Sequence, residues 1–537
     1  MQAFRRFRTR FSADGALAAR LAVDHAELWD FTGPPRPQLL PTPRGATQLL
    51  PLECDAALLA RPGTDGYDVV RIAPGVDEQR LRTVETAGFR LVATPGRTVL
   101  ALSWDTPEHT TVWRVVDREP WLERIGEHAG RLRGGAPLGS RSMAFTDDGG
   151  VVRLDLADGT VAPLAAGRVL VADPRSGLVV LTIDGRLAYH HRRTGRTVFP
   201  NALQAIDGAV RPLAVAPGGG AVALQVRRGA RTHLLRHRVA DDRLIEVDVP
   251  VGIIGNVGAW SATGLRFPYS SPVCPGAMAT VGREWHLAGV DDGPERVPGH
   301  LAWFPGRTGD IEAVVHGDWR TAERVVVALH RGFETAWDMG WQPSLQWLAS
   351  TGCAVVAPNP RGSTGYGRAH ADGIRGEWGV PDRIDVCRVG RLLQRGRPAG
   401  ARAPILFGER YGAFLALLAA GHRPDLWSGC AAVAPFLSGD GLHEEGSPTV
   451  RAEVDRLGGR GGADVLAVAR RIRGPLLVVH GGADVTVPVS QSRALRDHLR
   501  RPGHGRLEYL EVAGAGHDPL AASADARTAL ARFLRGR

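Results

Sequence analysis

The sequence contains no lysine: all 66 of its basic side chains are arginine. The bias runs the whole length of the chain, and the arginines are interleaved with Asp and Glu rather than clustered. The net charge of +10 therefore reads as coding bias, and no nucleic-acid partner is expected. Cysteine is scarce. The five residues (Cys54, Cys274, Cys353, Cys387 and Cys430) lie far apart, are odd in number and form no C-x-x-C pair, so neither a disulfide framework nor a metal site is expected. Cys353 and Cys430 sit inside apolar runs and read as core residues. No run approaches the ~18 apolar residues of a membrane-crossing helix, so no membrane partner is expected. The opening MQAFRRFRTRF carries arginines but no apolar core, which argues against a secretory signal and for a cytoplasmic protein. With 44% apolar and 23% charged residues, wholesale disorder and coiled coil are excluded. At ~150 residues per domain the length predicts three or four domains, unless large units such as propellers are present.

The texture changes near residue 300. Before it, short apolar runs alternate with Gly, Asp and Pro turns and helical periodicity is almost absent, as in GGVVRLDLADGTVAPL (149–164) and SGLVVLTIDGRLAYHHRRTGRTVF (176–199). Strand, tight turn, strand, at ~40–50 residues per unit, predicts an all-β propeller of six or seven blades, with a pair of β-sandwiches as the alternative. After residue 300, apolar strand runs at 325–329, 354–357, 404–407, 430–433, 476–479 and 507–512 alternate with helical patterns at 341–350, 382–394, 412–421, 489–500 and 519–534. That alternation predicts a mostly parallel, doubly wound sheet with helices on both faces. The expected division is 1–295 for the propeller and 296–537 for the α/β domain, with the Pro/Gly-rich stretch 291–306 as linker.

Four segments of the second half carry chemistry: HRGF (330–333), NPRGSTGYGR (359–368) with GEWG (376–379), the tight turn GERYG (408–412) between strand and helix, and HGGADVTVP with AGAGHD, which hold Asp484 and His517. Nucleophile turn, acid and base in that order at strand ends is the layout of an α/β-hydrolase. With NPRGSTGYGR, RGEWG and HGGADVTVPVSQS, the chain closely resembles the prolyl oligopeptidase family, in its acylaminoacyl-peptidase and dipeptidyl-peptidase-like branch. The resemblance covers roughly residues 310–537. It implies a propeller over the active site, Asp484 and His517 as acid and base, and the backbone amides of Gly332 and Tyr411 as oxyanion donors.

Three positions depart from the family pattern. The turn should read G-x-S-x-G, but its apex is Arg410, whose guanidinium has no nucleophilic lone pair; no Ser, Cys or Thr stands beside it. Arg331 replaces a glycine of the oxyanion loop. Thr486 stands where relatives carry an arginine that grips the peptide backbone. Arg410 is read either as a plug pairing with Glu409 or Asp484, or as a clamp for a carboxylate or enolate-like oxygen. NPRGSTGYGR reads mainly as loop architecture around Arg361, with Tyr366 as a candidate facing the chamber. His190–His191 read as solvated surface, Glu444–Glu445 as an exposed pair, and Trp337, Trp341 and Trp347 as core.

The first functional expectation is a protein that binds a peptide or small polypeptide between propeller and hydrolase domain without serine-protease hydrolysis. The alternative is a repurposed peptide-modifying enzyme using His517 and Asp484 in acid–base catalysis with the oxyanion hole. Thiol addition or cyclisation of a modified ribosomal peptide is an example, with other modifying enzymes as partners. A weak residual peptidase or esterase ranks last. No cofactor is expected.

Overall fold

The computed structural model describes residues 8–21, 25–41, 45–290, 293–500 and 506–536. The first part of the N-terminal sequence discussed above (1–7) and residues 291–292 of the linker stretch lie outside them.

Residues 8–288 form seven antiparallel sheets, each of strands consecutive in sequence: a propeller at the upper of the two expected blade counts. The first blade runs from strand Arg8–Phe11 to strand Arg36–Leu40, and the last from Ile253–Ile254 to Trp285–Ala288, its entering edge split into Ile253–Ile254 and Ala259–Ser261. Asp184 and Gly185 show why the chain turns where it does. Both take positive φ (48° and 76°), the conformation of a type I′ hairpin turn, between strands Leu178–Ile183 and Arg186–His191.

Each blade is hydrophobic on both faces and packs on its neighbours. Leu50, Leu58, Phe89 and Leu91 join the second blade to the third, and Leu178, Tyr189, Val222 and Leu224 join the fifth to the sixth. Ring closure follows the same rule. Ala18, Trp29 and Phe31 of the first blade meet Met278 of the last, so among the described residues side-chain packing, not a shared strand, holds the ring shut. His190 is a correction. It is buried, with Nδ1 at 3.0 Å from Thr197 Oγ1, because its turn of the strand faces a neighbouring blade rather than water.

The α/β domain is an eight-stranded sheet in the order Gly299–Pro305, Asp310–His316, Ala354–Pro358, Val325–Leu329, Ile405–Glu409, Gly429–Val433, Leu476–Gly481, Leu507–Val512. The first two strands are antiparallel and the other six parallel. All six parallel strands fall where the apolar runs predict them. The antiparallel pair does not: Gly299–Pro305 occupies much of the supposed linker, its edge position tolerating the prolines and glycines that read as loop. The helical pattern over 519–534 is two helices, Pro519–Ala522 and Ala524–Leu534. They are separated at Ser523, which leaves helical geometry (φ −131°) and caps the second through Oγ to the Ala526 amide. Helices Gly439–Glu445 and Pro448–Leu457 have no counterpart in the sequence reading, because short runs rich in charge give little periodicity. Helix Tyr411–His422, apolar nearly all round and buried over residues 411–421, lies within one of the two apolar clusters that flank the sheet.

The propeller docks through two hairpin tips, at Gly229–Ala230 of the sixth blade and at Pro272 of the seventh. Between strands Ala221–Arg228 and Arg231–Arg238, Gly229 donates to the Gly365 carbonyl (2.8 Å) and Ala230 donates to Glu312 (2.7 Å). Met339 in turn donates to the Ala230 carbonyl (2.7 Å), and Ala230 is fully buried against Trp337 and Met339. Trp341 donates its amide to Ser270 Oγ, and Gln346 donates to the Pro272 carbonyl.

Candidate active site

Strand Ile405–Glu409 runs straight into helix Tyr411–His422, with Arg410 alone at the turn. Arg410 has φ 57° and ψ −113°, a conformation that costs a non-glycine residue about 1–3 kcal/mol. The flanking glycines make the turn possible: a Cβ on Gly408 would lie 2.1 Å from the Gly412 carbonyl oxygen, and one on Gly412 would lie 2.5 Å from that of Leu329. The strained elbow that normally presents a nucleophile is intact, and it presents a guanidinium.

That guanidinium is folded into the site. Arg410 Nη2 donates to the His517 carbonyl (2.7 Å) and lies 4.0 Å from Asp518 Oδ2, while its Nε is buried with no hydrogen-bond partner among the described residues. Arg331 pairs with Glu409 through Nε (2.8 Å) and with Asp518 through Nη1 (3.3 Å). Of the two partners expected for Arg410, Glu409 is taken by Arg331 and Asp484 by His517, and Asp518 bridges both arginines. Burial, then the Arg331 charge, lowers the Arg410 pKa below the usual arginine range. Burial raises that of Glu409, against the pull of Arg331 and Arg410.

The dyad is in place. His517 Nδ1 meets Asp484 at 2.8 and 3.0 Å, and Asp484 also accepts the amides of Thr486 (2.8 Å) and Val487 (3.0 Å). Burial pushes Asp484 up, but bonds from His480, His517 and the Val487 amide outweigh it and hold the carboxylate well below its usual range. His480, absent from the sequence reading, is wholly buried, lies 3.6 Å from Asp484 and bonds Ser492 and the Val487 carbonyl. His517 keeps about a third of its side chain exposed (30%).

The loop expected to hold an oxyanion donor closes onto the elbow. The Tyr411 amide donates to the Arg331 carbonyl at 3.3 Å, so in this conformation the expected donor is engaged by the loop it should face. Gly332 lies in that loop, its carbonyl accepting Thr335 Oγ1 (2.6 Å). Phe333 stacks on Trp378 (4.1 Å between ring centroids) and meets Tyr411 edge-on (4.9 Å). The cavity between Phe333, Tyr411, Ile374 and Leu415 holds about 10 Å³, too little for more than one water. The signal for this plug is in the sequence, as the aromatic that ends HRGF. Tyr411 also donates its hydroxyl to buried Asp382 (2.6 Å), whose pKa burial raises to about 6.

Tyr366 donates its hydroxyl to Glu312 (2.6 Å), the carboxylate that receives Ala230 of the propeller, so it braces the domain junction. Arg361 forms a two-pronged pair with Asp385 and donates to the Pro381 carbonyl, the architectural role expected of it. Glu445 accepts from Ser490 and Gln491. Trp337, Cys353 and Cys430 are core residues. Among the described residues no helix is long and apolar enough to cross a membrane.

A seven-bladed propeller set on an α/β-hydrolase sheet with an Asp–His pair beside a strand-to-helix elbow defines a propeller-capped α/β-hydrolase fold. Residues 339–535 match the family model of the prolyl oligopeptidase family. The chain is similar to the uncharacterized peptidase YuxL of Bacillus subtilis (25% identical over 194 residues, 34% of this chain and 29% of that protein). It is also similar to a probable dipeptidyl-peptidase 5 of Emericella nidulans (37% over 105 residues, 18% of this chain and 14% of that protein). The alignments span less than a third of these curated relatives. Among solved structures, the acylaminoacyl peptidase of Pyrococcus horikoshii superposes with a TM-score of 0.67 at 15% identity, covering 98% of this chain and 94% of that one. A puromycin-hydrolyzing peptidase of Mycobacterium tuberculosis gives 0.53 at 17%, covering 98% and 85%. At these identities the likeness is one of fold.

Proposed function

We propose that this chain is a prolyl oligopeptidase-like protein that has lost its nucleophile and binds a peptide between propeller and hydrolase domain without forming an acyl-enzyme. The observation that carries the reading is Arg410. It occupies the elbow with its side chain tied to the His517 carbonyl and close to Asp518, where attack on a carbonyl would have to begin. Two further features support it: the pocket beside the elbow is filled by Phe333, and the Tyr411 amide is engaged by the Arg331 carbonyl. Binding is then left to the space inside the propeller and at the domain junction, where cavities of about 400 and 100 Å³ lie. Calorimetric titration of the full chain with a peptide library, paired with mass spectrometry of the peptides afterwards, tests both halves. Binding with intact peptide is expected; cleaved peptide, or no binding across the library, overturns it.

A second reading draws on the intact His517–Asp484 dyad, whose exposed imidazole is equipped to move a proton during addition or ring closure on a modified peptide. It requires the Tyr411 amide to leave the Arg331 carbonyl. Turnover of a dehydroamino-acid peptide with a thiol, abolished by His517→Ala in a protein that still folds, would favour it over simple binding.

A further inference from the structure

The propeller bore is lined by strands from all seven blades and encloses about 400 Å³, the scale of a ligand site. Arg10 of the first blade, Arg90 of the third and Arg211 of the sixth line it. Among the described residues neither Arg10 nor Arg90 makes an ion pair or a side-chain hydrogen bond. On the bore wall Arg10 is exposed and Arg90 half-buried; desolvation by the wall lowers the pKa of both, and repulsion from Arg10 adds to the fall of Arg90 to about 10. Two carboxylates share the wall, and each is held by other donors and pairs directly with neither arginine. Asp14 accepts from Ser12 Oγ (2.6 Å) and the Ala16 amide (3.0 Å), and Asp173 accepts the amides of Ser176 (2.8 Å) and Gly218 (3.2 Å).

The positive lining continues inward. A second cavity of about 100 Å³ shares Arg211 and Asn256 with the bore and reaches Asp338 of the hydrolase domain. Arg227 lines it, with a buried Nη2 that has no hydrogen-bond partner among the described residues; its Nε makes only a long contact (3.5 Å) with the Gly229 carbonyl. Arg10 and Arg90, which repel one another and have no ion pair among the described residues, are relieved when anionic oxygens arrive. Several arginines spread around and along one passage suit a chain that carries repeated carboxylates better than one compact anion.

We infer that the propeller bore and the cavity beneath it bind an acidic peptide segment, whose Asp or Glu carboxylates are received by Arg10, Arg90, Arg211 and Arg227. The inference rests on the peptide-binding reading above and names the class of peptide.

The test is calorimetric titration of the full chain at low ionic strength with acetylated, amidated hexaglutamate, and separately with hexaglutamine, citrate and hexathymidylate. Hexaglutamate should bind, more weakly as salt rises, with hexaglutamine weaker by about tenfold or more; the Arg10→Gln/Arg90→Gln pair, verified as folded by its melting profile, should lose a similar factor. Unchanged affinity in that double variant overturns the assignment. So does tighter binding of citrate, which would mean a small free anion, or of hexathymidylate, which would mean a nucleic acid. If hexaglutamine binds parent and variant as well as hexaglutamate does, the acidic-peptide inference fails and peptide binding stands. If neither peptide binds, both fail.

Discussion

Replacing Arg331 by Met probes the charge network around the Arg410 turn. Glu409 is buried in the strand entering the elbow, and Arg331 at 2.8 Å is its direct partner, with Arg410 and Asp518 the other charges that face it. Removing one member of a buried pair costs about 3–5 kcal/mol, because the other charge is left without compensation. Arg331 is 31% exposed and Arg410 remains nearby, so we expect the lower end, about 3 kcal/mol at pH 8. That corresponds to a drop of about 6–12 °C in the melting midpoint of a domain this size. The sign with pH follows from the raised pKa of Glu409. The folded carboxyl keeps its proton where the unfolded one has released it, so stability is highest below the unfolded value and falls as pH rises through the folded one. Loss of Arg331 raises the folded value further. The Arg331→Met defect should therefore shrink between pH 8 and pH 5, and Glu409→Gln in the same background should flatten that dependence. Calorimetric midpoints of parent, single and double variants at both pH values read this out. A defect of equal size at both, or one below about 1 kcal/mol, would refute the view of Glu409 as a buried charge held by Arg331.

Asp382, with its pKa raised to about 6, makes folding less favourable as pH rises from about 4, its unfolded value, to 6; Asp382→Asn should remove that slope from the midpoint-against-pH curve. Gly229→Ala forces a Cβ to 2.4 Å from Glu312 at a φ of +59°, so it should cost about 1–3 kcal/mol and speed limited proteolysis between the domains. Arg410→Ser places a hydroxyl on a preserved elbow beside the dyad and should become labelled by a fluorophosphonate, while Arg410→Ala should not. A serine variant that stays unlabelled would show that the dyad no longer serves the elbow.

The six parallel strands of the hydrolase sheet were legible because strands buried on both faces are near-continuous apolar runs, as in VVVAL (325–329) and AVVAP (354–358). The edge strands were not. Gly299–Pro305 has one covered face and holds prolines at its margin, so it looked like connection. The blade count escaped the sequence because the repeat is structural: each blade needs an apolar face toward each neighbour, and many residue combinations provide one. At the site, the elbow, Arg410, Asp484 and His517 could be read from motif spacing. The pairing of Arg331 with Glu409, the bridging Asp518 and the engaged Tyr411 amide could not, because they depend on which of several nearby charges meet across loops distant in sequence.

The most direct test of the central claim is intact-mass and peptide mass spectrometry of the unaltered protein after exposure to a fluorophosphonate and to an activated acyl ester. An unmodified Gly408–Gly412 peptide and no acyl intermediate are the expected results. A covalent adduct within that peptide, or amidase turnover that disappears in His517→Ala, would contradict the account.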